Sequence, residues 1–127
     1  MEPPVTFELR DKYLVVTGHG QRNSLSSMVE ASEMIFQKLH ETGKRYLLVD
    51  YTALKVNVHM TEAFNIVKRY ETAQPELKKI LIACAFSSSG MEFATYWKEI
   101  GQKRGFSIEI FDDLAKAEHW LLGQITD

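Results

Sequence analysis

The sequence contains few of the features that mark secreted, membrane-spanning or nucleic-acid-binding proteins. Among its 127 residues Cys84 is the single cysteine, which excludes an intrachain disulfide and a metal site built from several cysteines. No apolar stretch approaches the roughly 20 residues that cross a bilayer, and residues 1–4 lack the basic and apolar regions of a signal peptide. The formal net charge of -2 provides no broad attraction to nucleic acid. We therefore expect a cytoplasmic, bacterial-type protein.

The composition is that of an ordinary folded protein. Hydrophobic residues make up 45% of the chain and charged residues 25%, close to the average for soluble domains. The length is typical of one domain, so residues 1–127 are predicted to form a single domain around one core. Cys84 lies inside the apolar run 80–86, and we expect a buried thiol there.

Hydrophobic patterning predicts five strands. Residues 5–10 alternate apolar and polar side chains, and a short polar turn separates them from the apolar run 13–17, which is typical of an antiparallel hairpin. The continuous apolar runs 46–49 and 80–86 indicate parallel strands covered on both faces. Residues 106–110 alternate again and predict an edge strand.

Four helices are predicted between and after these strands. The first runs from about Leu25 to Thr42, with Asn23 or Ser24 as its N-cap. The second has Thr61 or His59 near its start and ends before Pro75. The third spans about 90–105, and Asp112 or Asp113 caps the fourth. The order β-β-α-β-α-β-α-β-α predicts an α/β fold with a mixed, mostly parallel five-stranded sheet and four helices.

Three segments together carry a resemblance to a known family. They are the hairpin Phe7 to Thr17, the strand Tyr46 to Asp50, and the ending Ile110 to Leu121, where Phe-Asp-Asp is followed by alanine and Trp-Leu. This combination resembles the STAS domain of anti-sigma-factor antagonists, and especially its small stand-alone bacterial relatives, which are sometimes grouped with lipid-binding SEC14-like domains. The resemblance implies a non-catalytic regulatory module whose partner is another protein, kinase-like or regulatory.

The resemblance also indicates where such a partner would bind. In anti-sigma-factor antagonists the regulated residue is a serine in an Asp-Ser pair that opens the second helix. No such pair occurs between Asp50 and Thr61 here, which counts against a phosphorylation switch. His59 falls near the acceptor's place, and Thr61 is the nearest hydroxyl. The candidate phospho-acceptor or docking loop therefore comprises Asp50, Asn57, His59 and Thr61.

A candidate ligand site follows from the predicted sheet alone. Ligands of open α/β sheets bind beyond the carboxyl ends of the strands, where the loops 18–24, 50–61 and 87–90 should meet. The serines of the last loop are expected either to bind an anion or to cap the third helix. The candidate anion or ligand residues in these loops are His19, Arg22, Asn23, Ser24, Ser87, Ser88 and Ser89.

Other functions receive less support from the sequence. The chain has no G-x-S-x-G elbow and no H-x-x-x-H pair, so no catalytic residue, metal ligand or cofactor is predicted and an enzyme is the third choice. The alternative to a regulatory module is a carrier of a small apolar or lipid-like ligand. Methionine and aromatic stripes are usually core, but they also suit an apolar pocket. A homodimer is compatible with the sequence. The pocket candidates are Met28, Met34, Met60, Met91, Phe36, Phe64, Phe93 and Trp97.

Overall fold

The computed structural model describes residues 3–125, in which strands and helices alternate. Residues 1, 2, 126 and 127 lie outside the described residues. The first two belong to the segment 1–4, which the sequence predicts is not a signal peptide. The elements of the described chain are β1 (Val5–Leu9), β2 (Leu14–Gly18), β3 (Gln21–Arg22), α1 (Leu25–Thr42), β4 (Tyr46–Tyr51), β5 (Lys55–Val56), α2 (Thr61–Ala73), β6 (Leu81–Phe86), α3 (Met91–Lys103), β7 (Ser107–Phe111) and α4 (Leu114–Gln124).

Five of these strands form the main sheet in the order β1-β2-β4-β6-β7. β1 pairs antiparallel with β2, and every other neighbour is parallel, so Val49 of β4 lies between Val16 of β2 and Cys84 of β6. β7 is an edge strand, as its alternation indicates. The structure therefore confirms the predicted fold class: a mixed, mostly parallel sheet of five strands with four helices.

The helices cover the two faces of the sheet unequally. Side chains alternate along a strand, so Val49 and Cys84 face a large core that includes residues of α1, α2 and α3. Leu48, Ala83 and Ala85 face the other side, where they pack against α4. The alanines allow α4 to approach the sheet closely through its own buried Ala117 and Leu121.

Local signals place the helix ends. Ser24 caps α1 in a reciprocal capping box with Ser27, and Gly43 closes the helix at φ 70°. For α4, Asp113 is the N-cap and accepts a hydrogen bond from the backbone N–H of Lys116 across 3.0 Å. Asp112 forms an exposed ion pair with the side chain of the same lysine. The two aspartates therefore have different roles, since Asp113 caps the helix and Asp112 does not.

Four short elements were not predicted. These are β3 and β5, which form a separate parallel pair, and the 3-10 helices Pro75–Lys79 and Ser88–Gly90. Two-residue strands are too short to show a hydrophobic period. β3 and β5 bear on the candidate site, because both lie in loops at the carboxyl end of the sheet.

Candidate functional site

The first two loops at the carboxyl end of the sheet are joined by backbone hydrogen bonds. In the β3–β5 pair, Gln21 lies opposite Lys55 and Arg22 opposite Val56. The N–H of Lys55 donates to the carbonyl of Gly20 across 3.1 Å, and the N–H of Asn57 donates to the carbonyl of Arg22 across 2.9 Å. The loops that follow β2 and β4 are therefore held side by side.

The third loop packs against the second. Gly90 is buried so close to the β5 loop that a Cβ atom there would lie 3.8 Å from Cγ2 of Val56. The hydroxyls of Ser87 and Ser89 lie 2.9 Å apart and form a hydrogen bond with each other. Because Gly90 is the N-cap of α3 and no side chain bonds that cap, the alternative of capping by serine is wrong.

The loop before α2 contains two internal side-chain contacts. Oδ1 of Asp50 accepts hydrogen bonds from the backbone N–H of Thr52 at 3.1 Å and from its hydroxyl at 2.6 Å. Nδ1 of His59 accepts from the N–H of Thr61 at 3.2 Å and lies 2.9 Å from its hydroxyl. His59 and Thr61, the two alternatives for the start of α2, are thus bonded to each other, and both are exposed.

The remaining loop candidates do not assemble a catalytic group. Nε2 of His19 lies 2.8 Å from the hydroxyl of Thr6, whereas Ser24 is engaged in capping and Asn23 beside it is exposed. No recorded hydrogen bond among residues 3–125 links an acid, a histidine and a serine in series. Within the same residues, no group of three or more His, Cys, Asp or Glu side chains is placed to hold a metal ion.

A cavity of about 80 Å³ lies between the sheet and the helices α1, α2 and α3. Its wall is aliphatic and aromatic, with sulfur atoms from a methionine and a cysteine. The lining residues are Arg22, Met28, Ala31, Ser32, Ile35, Leu47, Val49, Tyr51, Val56, Ile66, Tyr70, Leu77, Ile82, Cys84, Phe86, Phe93 and Trp97.

Three of the eight pocket candidates line this cavity: Met28, Phe93 and Trp97. The others do not. Phe36 lines a separate groove near the amino ends of the strands, and Phe64 points outward with 40% of its surface exposed. The remaining three, Met34, Met60 and Met91, are half-buried against the core without reaching the cavity.

Arg22 is the charged residue of the cavity wall, and it is 4% exposed. Its Nη2 donates to the carbonyl of Pro4 at 2.8 Å, and its Nη1 donates to the carbonyl of His19 at 3.1 Å. The guanidinium carbon lies 5.7 Å from the ring centroid of Tyr51, a cation–π distance. Sequence reasoning placed Arg22 in the correct loop but did not foresee its burial.

Three titratable groups of the wall besides Arg22 were not predicted as site residues. Burial raises the pKa of Tyr51 to about 12, although the nearby Arg22 opposes this effect. Burial also raises the pKa of Tyr70 and holds the pKa of the Cys84 thiol well above its ordinary value. All three groups are therefore neutral at physiological pH. The sequence signal for Cys84 and Tyr51 was a position in or close to an apolar run, and the signal for Tyr70 was its helical spacing from Ala63 and Val67 in α2.

The fold has counterparts among solved structures. An anti-sigma factor antagonist from Mycobacterium paratuberculosis superposes with a TM-score of 0.62 at 13% sequence identity, covering 93% of this chain and 92% of that one. The chain has a STAS-type, SpoIIAA-like fold. A second match is an uncharacterised protein of the DUF3478 family with a SpoIIAA-like fold from Shewanella loihica PV-4, with a TM-score of 0.56 and 18% identity over 92% of this chain and 91% of that one.

The likeness shows the STAS fold and does not extend to the amino-acid sequence. No protein-family model and no curated protein matches the chain. Among residues 3–125, no helix is both long enough and apolar enough to cross a membrane.

Proposed function

We propose that this chain is a single STAS-like domain that acts in the cytoplasm as a non-catalytic regulatory module and binds another protein. The binding surface, called here the docking surface, consists of Asn57, His59, Thr61 and Phe64 at the start of α2. The observation that carries the proposal is Phe64, a large apolar side chain left 40% exposed one helical turn after Thr61. Its three neighbours in the docking surface are exposed polar residues.

Charge beside Phe64 indicates what kind of surface the partner would present. The exposed Lys68 follows Phe64 by one turn in α2. The guanidinium carbon of Arg104 lies 5.3 Å from the ring centroid of Phe64, while its Nη1 is paired with Glu71 across 2.9 Å. A partner with an apolar centre and an acidic residue facing Lys68 would complement this arrangement. The likeness to an anti-sigma factor antagonist supports a regulatory protein as the partner.

Thr61 is the candidate for control of this contact. Its hydroxyl is exposed and lies in the first turn of α2, where a phosphate is favoured by the helix dipole. A phosphate there would also place a doubly charged group beside Phe64 and oppose an acidic partner. Because the Asp-Ser pair is missing, phosphorylation of Thr61 must be tested directly. The measurement is intact-mass and peptide mass spectrometry of protein purified from its native source.

Docking itself is tested by site-specific photo-crosslinking in living cells. A photoreactive amino acid at position 61 or 64 should crosslink to one protein, whereas the same amino acid at the exposed Leu122 of α4 should not. With that partner purified, Thr61→Glu should weaken binding by about tenfold or more, because it adds a charge inside the interface. The matched change Leu122→Glu should leave the affinity unaltered. Equal crosslinking from positions 61, 64 and 122 would refute the docking surface.

A second function is favoured by the cavity. Its apolar wall and its position between the sheet and three helices support a carrier of a small apolar ligand. Native mass spectrometry of freshly purified protein should then show a co-purified small molecule that denaturation releases. A single apo mass under the same conditions counts against this second function and leaves docking unaffected.

A further inference from the structure

We propose that the cavity binds a small organic anion that has one carboxylate and a short apolar body, and that Arg22 recognises the carboxylate. This inference rests on the second function above, since it names the ligand class for the same cavity. Two independent observations carry it: an apolar space inside the core, and a buried cation in its wall.

Arg22 carries a buried positive charge. A buried ion is strongly disfavoured unless it is paired, and arginine does not lose its proton in proteins. Arg22 donates to the backbone carbonyls of Pro4, His19 and Gln21, which are neutral acceptors. No carboxylate within residues 3–125 forms an ion pair with it. The carbonyls and the ring of Tyr51 solvate the guanidinium but leave its charge uncompensated.

The guanidinium of Arg22 has more N–H groups than its surroundings have acceptors. Arginine has five N–H groups in a fixed planar arrangement that suits a carboxylate. Nη1 and Nη2 of Arg22 donate to three backbone carbonyls, and a hydrogen bond with the side chain of Tyr51 acts against the rise in that residue's pKa, so the five N–H groups meet at most four acceptors. Donor capacity therefore remains on a cation that forms part of the cavity wall.

The size of the cavity and the single charge of Arg22 limit which ligand can bind. The cavity, at about 80 Å³, is smaller than the roughly 150 Å³ engineered cavity that holds benzene, so the apolar body must be short. One guanidinium balances one negative charge. A phosphate dianion would bring a second, uncompensated charge into an apolar wall, which disfavours it. These limits select a short-chain monocarboxylate.

A purely structural role for Arg22 predicts different behaviour. By bonding to the carbonyls of Pro4 and His19, Arg22 also ties the start of β1 and the loop after β2 to β3. If that were its whole role, removing it would lower stability and would not change which ligands bind. Ligand preference, rather than stability, is therefore the discriminating measurement.

The test compares butyrate with butan-1-ol, which have the same number of carbons and differ in charge, by NMR titration of the full chain. The wild-type protein should bind butyrate at least about tenfold more tightly, as expected of hydrogen bonds to a charged group. Arg22→Gln should abolish this preference, while the exposed control Arg45→Gln should keep it. Circular dichroism establishes that the variants are folded.

A second variant keeps the test decisive if Arg22→Gln fails to fold. Ser32 lines the cavity from α1, so Ser32→Leu should fill the space and abolish binding of both compounds. Ser26→Leu, at an exposed position of the same helix, should bind both as the wild type does. Inorganic phosphate should not compete with butyrate.

The binding results distinguish the assignment of a carboxylate ligand from the carrier function itself. If butan-1-ol binds as tightly as butyrate, or if phosphate competes, the carboxylate assignment is overturned while an apolar carrier stands. If neither butyrate nor butan-1-ol binds at millimolar concentration, the cavity site and the carrier function are both overturned.

Discussion

The indole N–H of Trp97 on α3 donates a hydrogen bond to the hydroxyl of Tyr70 on α2 across 3.3 Å. Both side chains are buried in the wall of the cavity. The hydrogen bond therefore connects α2 to α3 on one face of the sheet. It also gives the buried indole N–H and the buried hydroxyl a partner in place of water.

Tyr70→Phe should lower the free energy of unfolding by about 1–2 kcal/mol, because it leaves the Trp97 N–H buried without an acceptor. Urea unfolding followed by tryptophan fluorescence measures this change. Tyr96→Phe is the matched control, since Tyr96 is 49% exposed on α3 and its loss should have little effect. Equal effects of the two substitutions would contradict the assignment.

Stability should decrease at alkaline pH. Burial raises the pKa of Tyr51 to about 12 and raises the pKa of Tyr70 and Cys84 as well, whereas these groups ionise at their ordinary values in the unfolded chain. As pH rises above about 9, the unfolded state releases protons that the folded state retains, so the free energy of unfolding falls. The slope is at most about 1.4 kcal/mol per pH unit for each group.

Urea unfolding between pH 8 and pH 11 measures this slope, within about the range where free cysteine and tyrosine titrate. Tyr51→Phe removes one of the contributing groups and should give a shallower decline than the wild type. A stability that rises over this interval would disprove the assignment of buried, neutral hydroxyls and thiol.

Gly18→Ala should destabilise the fold at the end of β2. A Cβ atom at this position would lie 2.5 Å from Cδ1 of Tyr51, and that ring is itself packed edge-on against Phe86. The expected loss is about 1–3 kcal/mol, as for other overpacked cores. Thermal unfolding monitored by circular dichroism provides the measurement.

Gly123→Ala is the matched control for this substitution. A Cβ atom there would meet nothing within 4 Å, and alanine is the better helix former inside α4. This variant should gain up to about 0.5–1 kcal/mol. The prediction for Gly18 would be wrong if both variants changed stability in the same direction.

Asp113→Ala should destabilise α4 by about 1 kcal/mol, because the backbone N–H of Lys116 loses its side-chain acceptor. The adjacent Asp112 forms only an exposed ion pair with Lys116, and Asp112→Ala should therefore cost less than about 0.5 kcal/mol. Chemical unfolding of the two variants in parallel tests the division of roles. The reverse order of effects would show that the pair, and not the cap, stabilises the helix.

Local chemistry made most of the scaffold predictable. Ser24 and Gly43 bound α1 because a hydroxyl caps backbone N–H groups and glycine tolerates positive φ. The apolar run containing Cys84 forms the interior strand β6, and the run is continuous because both faces of that strand are covered. Side-chain alternation likewise predicted that β7 has a more exposed position at the edge.

The candidate site was only partly predictable. The sequence placed the loops around Arg22, Thr61 and Ser87 at one end of the sheet, since the carboxyl ends of parallel strands share an edge. It did not predict that Ser87 bonds to Ser89 instead of capping α3, or that Thr61 bonds to His59. Those contacts depend on loop conformations that have no periodic signature.

The succession of strands and helices along the chain, the ends of α1 and the burial of Cys84 were determined by the sequence itself, because periodicity and capping act between residues close together in the chain. The burial of Arg22 was decided by tertiary structure. It requires the pairing of β3 with β5 and the carbonyls of Pro4 and His19, which converge on the guanidinium when the chain folds. A two-residue pairing and a set of backbone acceptors have no sequence pattern, because every residue carries a carbonyl and only the fold selects which ones meet.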